Sequence, residues 1–287
     1  MTQLGDAEPR GALSRLVLSD TGGFINDLSF EFDVSAQGTH GEGRASITPM
    51  MRSTGSMVRP SVLLTIADCI AGVPAMHVCS PRLAVTLDMM IRVMADRTGP
   101  ELIVTSDVLK QGRNTVASEV RFTDAGSGAL AALGYLTFMT SARPQDLSPP
   151  VPDGMAFHGS MPVSFPERVG LRVVAPGMTE LDRRPFVEQA SGSLQGGMVA
   201  LLGETAAESL TGLPVRELDA RFFTGVRVGP GRATAEAVGD GVVRVEVRDA
   251  GNADRLAALV TVRVAATVSA AVAATVSAAE AQWPAPG

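Results

Sequence analysis

Gln195-Gly196-Gly197-Met198-Val199-Ala200-Leu201-Leu202-Gly203-Glu204 and, in the first half of the chain, Arg59-Pro60-Ser61-Val62-Leu63-Leu64-Thr65-Ile66-Ala67-Asp68 are two versions of one pattern. Each has a polar residue, a pair suited to opening a helix, an apolar run, and an acid nine places after the start. Glycines at a helix start let a ligand approach free backbone N–H groups, which favour an anion or a developing oxyanion. Proline suits the first helical turn, where its missing N–H breaks no intrahelical bond. An acid on an otherwise apolar helix is a candidate base. Most acids inside helices are merely solvated or capping, so the duplication is what raises Asp68 above that background, while Glu204 reads as a structural or pseudo-site residue.

Outward from these stretches the chain repeats a programme. In the first half, Phe24–Val34 alternates in a β-like way, with Leu28, Phe30 and Phe32 set against Ser29, Glu31 and Asp33. A turn at 37–41, a return strand at 43–48 and a loop at 50–57 lead to a helix over 60–78, which Pro74 and Ser80-Pro81 are expected to bend or end. Strands are expected over 83–94, 101–110, 115–123 and 129–140, separated by Gly99-Pro100, Gln111-Gly112 and Asp124-Ala125-Gly126. Four prolines between 141 and 155 read as a linker. In the second half, β-like segments at 169–175 and 185–189 precede a helix over 196–210, with strands at 215–226, 232–237, 242–248 and 256–264. Landmarks recur in unchanged order. Leu87-Asp88 is answered by Leu218-Asp219, Gly99-Pro100 by Gly229-Pro230, Asp124-Ala125-Gly126 by Asp249-Ala250-Gly251, and Leu130-Ala131-Ala132-Leu133 by Leu256-Ala257-Ala258-Leu259. The reading is a duplicated α+β domain: residues 1–143, a linker at 144–155, and residues 156–287 ending in an Ala-rich tail.

Composition narrows the class. A chain of 287 residues with 45% apolar content can bury a substantial core. A net charge of −6 disfavours nucleic acid as a partner and leaves anionic small molecules open. Cys69 and Cys79 are too few and too widely spaced for a disulfide scaffold or a zinc pair, and His40, His77 and His158 form no ligand cluster. No metal is expected, and two reduced thiols point to the cytoplasm. The start of the chain lacks a basic segment followed by an apolar run, and 264–279 is too short and too rich in Ala, Thr and Ser for a membrane span; a strand end with a helical tail is expected there.

Together these features resemble the hotdog fold, in which an antiparallel sheet wraps one long helix. They most resemble the thioesterase branch typified by phenylacetic acid degradation thioesterases. That branch carries Asn-x-x-Gly-x-x-His-Gly-Gly before the helix and an Asp nine residues after the His. Here the second half reads Gln189-x-x-Gly192-x-x-Gln195-Gly196-Gly197 with Glu204 at the acid position, and the first half reads Arg59-Pro60-Ser61 with Asp68. Val85-Thr86-Leu87-Asp88 is similar to the family segment that holds a Ser or Thr near the acid; Glu217 stands at that place in the second half. The resemblance implies acyl-CoA, or a related thioester, as substrate with no further cofactor. It implies Gln189 as the residue orienting water or substrate, and Thr86 as a hydrogen-bond partner of the acid. A strand threonine at 86 would otherwise be unremarkable. An enoyl-thioester hydratase on this fold uses an Asp with a His five residues on; Asp27 is followed by Phe32, and neither Asp68 nor Asp88 has a His at that spacing.

Helix geometry then decides how the pieces combine. Gly196 and Glu204 lie eight residues apart, about 12 Å along a helix axis. One small reacting group cannot touch both. Each acid is therefore expected to work with the helix start of the other copy, brought alongside by a pseudo-two-fold arrangement. Site one pairs Asp68 with Gly196 and Gly197; site two pairs Glu204 with Pro60 and Ser61. Pro60 has no N–H to offer, and losing one oxyanion donor costs about 10²–10³ in rate. Geometry gives Asp68 and Gly196, and the resemblance adds Gln189 and Thr86 to the expected catalytic set. Gln195, Gly197, Glu204 and Arg113 are expected at the substrate, Arg113 against a coenzyme A phosphate unless it is simply a solvated strand-end arginine. The degenerate motifs keep a second class open, an acyl-binding protein without turnover. Exposed strand edges and helix packing are compatible with a homodimer of such chains.

Overall fold

The computed structural model describes residues 23–53, 56–140, 151–189 and 191–265. Its first strands are β1 (Phe30–Val34) and β2 (His40–Ser46), followed by the helix α1 (Pro60–Cys79) and strands β3 (Ala84–Val93), β4 (Glu101–Gln111), β5 (Thr115–Asp124) and β6 (Leu130–Thr140). The second part comprises β7 (Gly154–Ala156), a short helix α2 (Phe165–Val169), β8 (Arg172–Ala175), β9 (Met178–Leu181), the helix α3 (Gly196–Thr211), β10 (Val215–Phe222), β11 (Gly231–Gly239), β12 (Val242–Asp249) and β13 (Arg255–Val264).

The strands form one 13-stranded sheet in the order β7-β1-β2-β4-β5-β6-β3-β10-β13-β12-β11-β9-β8, with every pairing antiparallel. The order 1-2-4-5-6-3 on one side is matched by 8-9-11-12-13-10 on the other. The two meet where β3 pairs with β10, from Asp88 opposite Arg221 to Arg92 opposite Glu217. Inward-pointing residues on alternate positions, such as Met89 and Ile91 of β3, and Val243, Val245 and Val247 of β12, close over the helices. α1 is long and apolar enough to cross a membrane by length and composition, yet most of it is buried inside this sheet. Its apolarity on all sides reflects a core helix wrapped by strands and packed against α3.

The repeated landmarks meet in space. Asp124, at the end of β5, accepts hydrogen bonds from the N–H groups of Gly99, Gly126 and Ser127. Asp249 accepts from Gly229 (2.6 Å), Arg227 (2.8 Å) and Val228 (3.1 Å). Each Asp-Ala-Gly turn therefore pins the Gly-Pro turn of its own half. Both carboxyls are held below the usual range: by donated N–H bonds at Asp124, and at Asp249 by the same kind of bonds outweighing a burial that pushes the other way.

The helix expected over 60–78 is α1, which runs through Pro74 to Cys79 and stops at Ser80-Pro81. Proline removes the N–H that would bond Ile70 O, and that carbonyl lies 3.2 Å from where a Cβ on Gly41 of β2 would stand. A glycine at 41 leaves room for it. Several local expectations are corrected. Phe24–Leu28 is a 3-10 turn before β1, not strand, and Pro185–Val187 is likewise a 3-10 turn, opened by a proline that has no N–H for a sheet ladder. The end of the Pro-rich linker belongs to the sheet, since β7 pairs with β1. Residues 1–22 and the tail from 266 onward lie outside the described residues.

Candidate active site

α1 and α3 pack against each other, and each N-terminus lies beside the acid of the other helix. Asp68, in the middle of α1, is gripped on both oxygens. Thr86 of β3 donates from Oγ1 to Oδ1 at 2.8 Å, and Gln195 donates from Nε2 to Oδ2 at 2.9 Å. Gln195 is the N-cap of α3, and its Oε1 accepts from the N–H of Gly197 at 2.5 Å. That bond fixes which way the amide faces, so its NH2 must point at the carboxylate. Asp68 Oδ2 lies 3.6 Å from where a Cβ on Gly196 would stand. Among the described residues the Gly196 N–H makes no hydrogen bond, as expected at the first position of a helix. The site thus combines an uncommitted amide from one half with a carboxylate from the other.

Burial sets the chemistry of Asp68. It raises the carboxyl to about 6, while the bonds from Thr86 and Gln195 pull the other way. The side chain keeps part of its surface accessible. An acid that changes charge near pH 6 is suited to taking a proton near neutrality. Gly196 is faced by Cε of Met89 and Cζ of Phe222, 3.3 and 3.5 Å from its would-be Cβ. Met89 and Phe222 come from β3 and β10, so an apolar wall from the junction of the halves stands beside the amide.

Gly197 answers to packing. A Cβ there would run into Oγ1 of Thr65 on α1, whose hydroxyl donates to Ser61 O at 2.8 Å. Glycine lets the two helices approach this closely.

The second pairing has the same plan and a different outcome. Glu204 is completely buried. Its Oε2 accepts from the Ser61 N–H at 2.9 Å, and its Oε1 from Nη1 of Arg59 at 3.0 Å. The same Nη1 lies 2.8 Å from Oε2 of Glu208. Pro60 is the first residue of α1 and offers no N–H. Glutamate is one methylene longer than aspartate, so Glu204 reaches the helix start itself and fills the place a ligand would take. Arg59 closes what remains. Burial and the neighbouring Glu204 charge raise Glu208 to about 7, against the opposing pull of Arg59.

The other expected residues fall apart from this centre. Gln189 donates from Nε2 to Ser193 Oγ at 2.8 Å within its own loop and does not bond Asp68. Glu217, the counterpart of Thr86, pairs with Arg92 at 2.7 Å and not with Glu204. Arg113 is exposed in the turn between β4 and β5, and its carbonyl accepts from Nη2 of Arg82 at 3.2 Å. Sequence reasoning missed the bridge made by Gln195, the partnership of Arg59 with two acids, and Glu208 altogether. The i, i+4 spacing of Glu204 and Glu208 in an apolar helix was the available signal.

No protein-family model matches the chain, and no curated protein matches it. Solved structures do. An acyl-ACP thioesterase from Bacteroides thetaiotaomicron superposes with a TM-score of 0.55 at 12% identity, covering 81% of this chain and 100% of that one. The 12:0-ACP thioesterase of Umbellularia californica gives 0.55 at 12% identity over 79% and 98%. The fold is therefore that of the hotdog thioesterases.

Proposed function

We propose that the chain is two hotdog units, 1–143 and 156–287, paired about a pseudo-two-fold axis, and that it hydrolyses an acyl thioester at the Asp68–Gly196 site. The observation that carries this is the meeting of an uncommitted helix-start amide from one half with a carboxylate, raised to about 6, from the other. The thioester carbonyl oxygen accepts from Gly196 N–H. Asp68 takes a proton from water as the water oxygen attacks the carbonyl carbon, and negative charge develops on the oxygen held by Gly196 and the α3 N-terminus. Collapse expels the thiolate, which takes the proton back from Asp68, leaving a carboxylic acid and a thiol. The same geometry also serves direct attack by Asp68 on the carbonyl, with water cleaving the resulting anhydride. The substrate is acyl-CoA or a related carrier thioester; the carrier-protein substrates in the names of the similar structures belong to the same chemical class.

Acyl-ligand binding without turnover has two observations in its favour: both Asp68 oxygens are already engaged, and Met89 and Phe222 crowd the amide. Purified protein tested on a panel of acyl-CoAs separates the two readings. Hydrolysis lost in Asp68→Asn and retained in folded Glu204→Gln supports catalysis at site one. Equal activity in the two variants removes the assignment, and thermal stabilisation by acyl-CoA without turnover favours binding alone.

A further inference from the structure

One edge of the sheet is covered and its counterpart is not. In the first half β7 lies on the outer edge of β1. Among the described residues nothing pairs with the outer edge of β8, which holds the same place in the second half. The correspondence extends to single residues. Phe24 and Phe165, Leu28 and Val169, and the left-handed Ser29 and Gly170 stand at one spacing, which matches Phe30 to Leu171 and Phe32 to Val173. Phe32 sits directly opposite Met155 of β7 and is 3% exposed, whereas Val173 is 53% exposed. Val173 nevertheless lies on the helix-facing side of its strand: its partner Thr179 is buried and donates from Oγ1 to Leu202 O of α3 at 3.0 Å. An apolar residue turned towards the core yet half open, on a strand with a free row of N–H and C=O groups, suits the addition of one more strand.

The cover of the first half shows what such a strand brings. β7 follows β6 after residues 141–153. Phe157, next to β7, donates its N–H to Phe30 O at 2.8 Å, and its ring stands 4.8 Å from that of Phe30. In the second half residues 266–287 follow β13. Leu130 of β6 and Leu256 of β13 are matched landmarks, and Trp283 stands as far beyond Leu256 as Phe157 stands beyond Leu130. It is the only tryptophan of the chain. From β13 to the free edge of β8 is five strand spacings, as from β6 to β7, or roughly 24 Å across the sheet. Residues 267–279 cover that distance with slack at about 3.3 Å each. Pro284, directly after Trp283, has no N–H to continue a ladder and marks where pairing stops.

We propose that residues 280–283 form a strand on the outer edge of β8, antiparallel to it, with Trp283 packed against Leu171 as Phe157 packs against Phe30. The tail then closes the second half as β7 closes the first. The test uses the full chain, whose single tryptophan reports its own surroundings. Acrylamide should quench Trp283 at least about threefold less efficiently than free N-acetyltryptophanamide. Ala281→Pro removes an N–H from the added strand, and Val173→Glu sets a charge where the tail packs. Each should restore most of the free quenching while the far-UV circular dichroism stays that of wild type. Removing residues 280–287 should speed hydrogen exchange of the β8 amides by about tenfold or more and leave those of β1 unchanged. Free quenching in wild type overturns the proposal. Shielding that survives both substitutions also overturns it, because Trp283 is then buried elsewhere, and so does β8 exchange that is unaltered by the truncation. Shielding lost on dilution together with a dimer overturns it as well, since a second copy of the chain then occupies the edge.

Discussion

Replacing Thr86 by valine removes one hydrogen bond from Asp68 while keeping the β-branched shape that suits β3. The lost bond is donated to a charged acceptor, a type worth roughly 1.5–3 kcal/mol, or about 1–2 pKa units at 1.36 kcal/mol each. Asp68 keeps some accessible surface, so water replaces part of the bond and the lower end is expected. In wild type the carboxyl stands at about 6, and the acid limb of kcat/KM should have its midpoint there, because only the anion can accept a proton. In Thr86→Val the midpoint should move to about 7 or above, which lowers the ionised fraction at pH 7 by roughly two- to tenfold and leaves activity at pH 9 close to wild type. The assay is a pH profile of kcat/KM between pH 5 and pH 9 with one acyl thioester. A uniform loss at every pH, with the limb in place, would show that Thr86 shapes the pocket without tuning Asp68, and the reasoning would be refuted.

Two further outcomes follow from the helix interface. Glu208, raised to about 7 by burial and by Glu204, must give up its proton in the folded state as pH rises, at a cost the unfolded chain does not share. That cost is absent below the unfolded value of 4.5 and grows up to the folded value. Glu208→Gln keeps an acceptor for Arg59, so it should raise Tm at pH 8 by several degrees and change it little at pH 4; a shift of equal size at both would contradict the assignment. Gly197→Ala places a methyl against Thr65 and should destabilise by about 1–3 kcal/mol in a denaturant titration, with Thr65→Ala restoring part of the loss. Additive effects of the two changes would mean that the helices do not meet at that point.

The candidate site was legible to different depths at different residues. Gly196 and Asp68 could be paired from spacing alone, because the rise of a helix is a local quantity that any helical sequence inherits. Thr86 came with the family segment around Val85, and it does bond Asp68. Motif position assigns Gln189 to orienting water or substrate, whereas it turns to Ser193 and the amide that reaches Asp68 is that of Gln195. Motif position records the order of residues along a loop; the direction of an amide is set by which donor it must satisfy, here the Gly197 N–H.

By itself the sequence set out two similar runs of strands and an apolar helix, a gap of eight residues between each acid and the residue that opens its own helix, and a proline without an N–H at one of the two helix starts. These follow from periodicity, helix rise and the absence of an N–H, all properties of a residue and its near neighbours. Only the tertiary structure decided what stands at that second helix start. Glu204 fills it and Arg59 and Glu208 seal it, because one extra methylene lets a carboxylate cross from α3 to the start of α1. Asp68, one methylene shorter and held by Thr86 and Gln195, stays beside an uncommitted amide. Such a difference in reach has meaning only once the two helices are packed at a fixed distance.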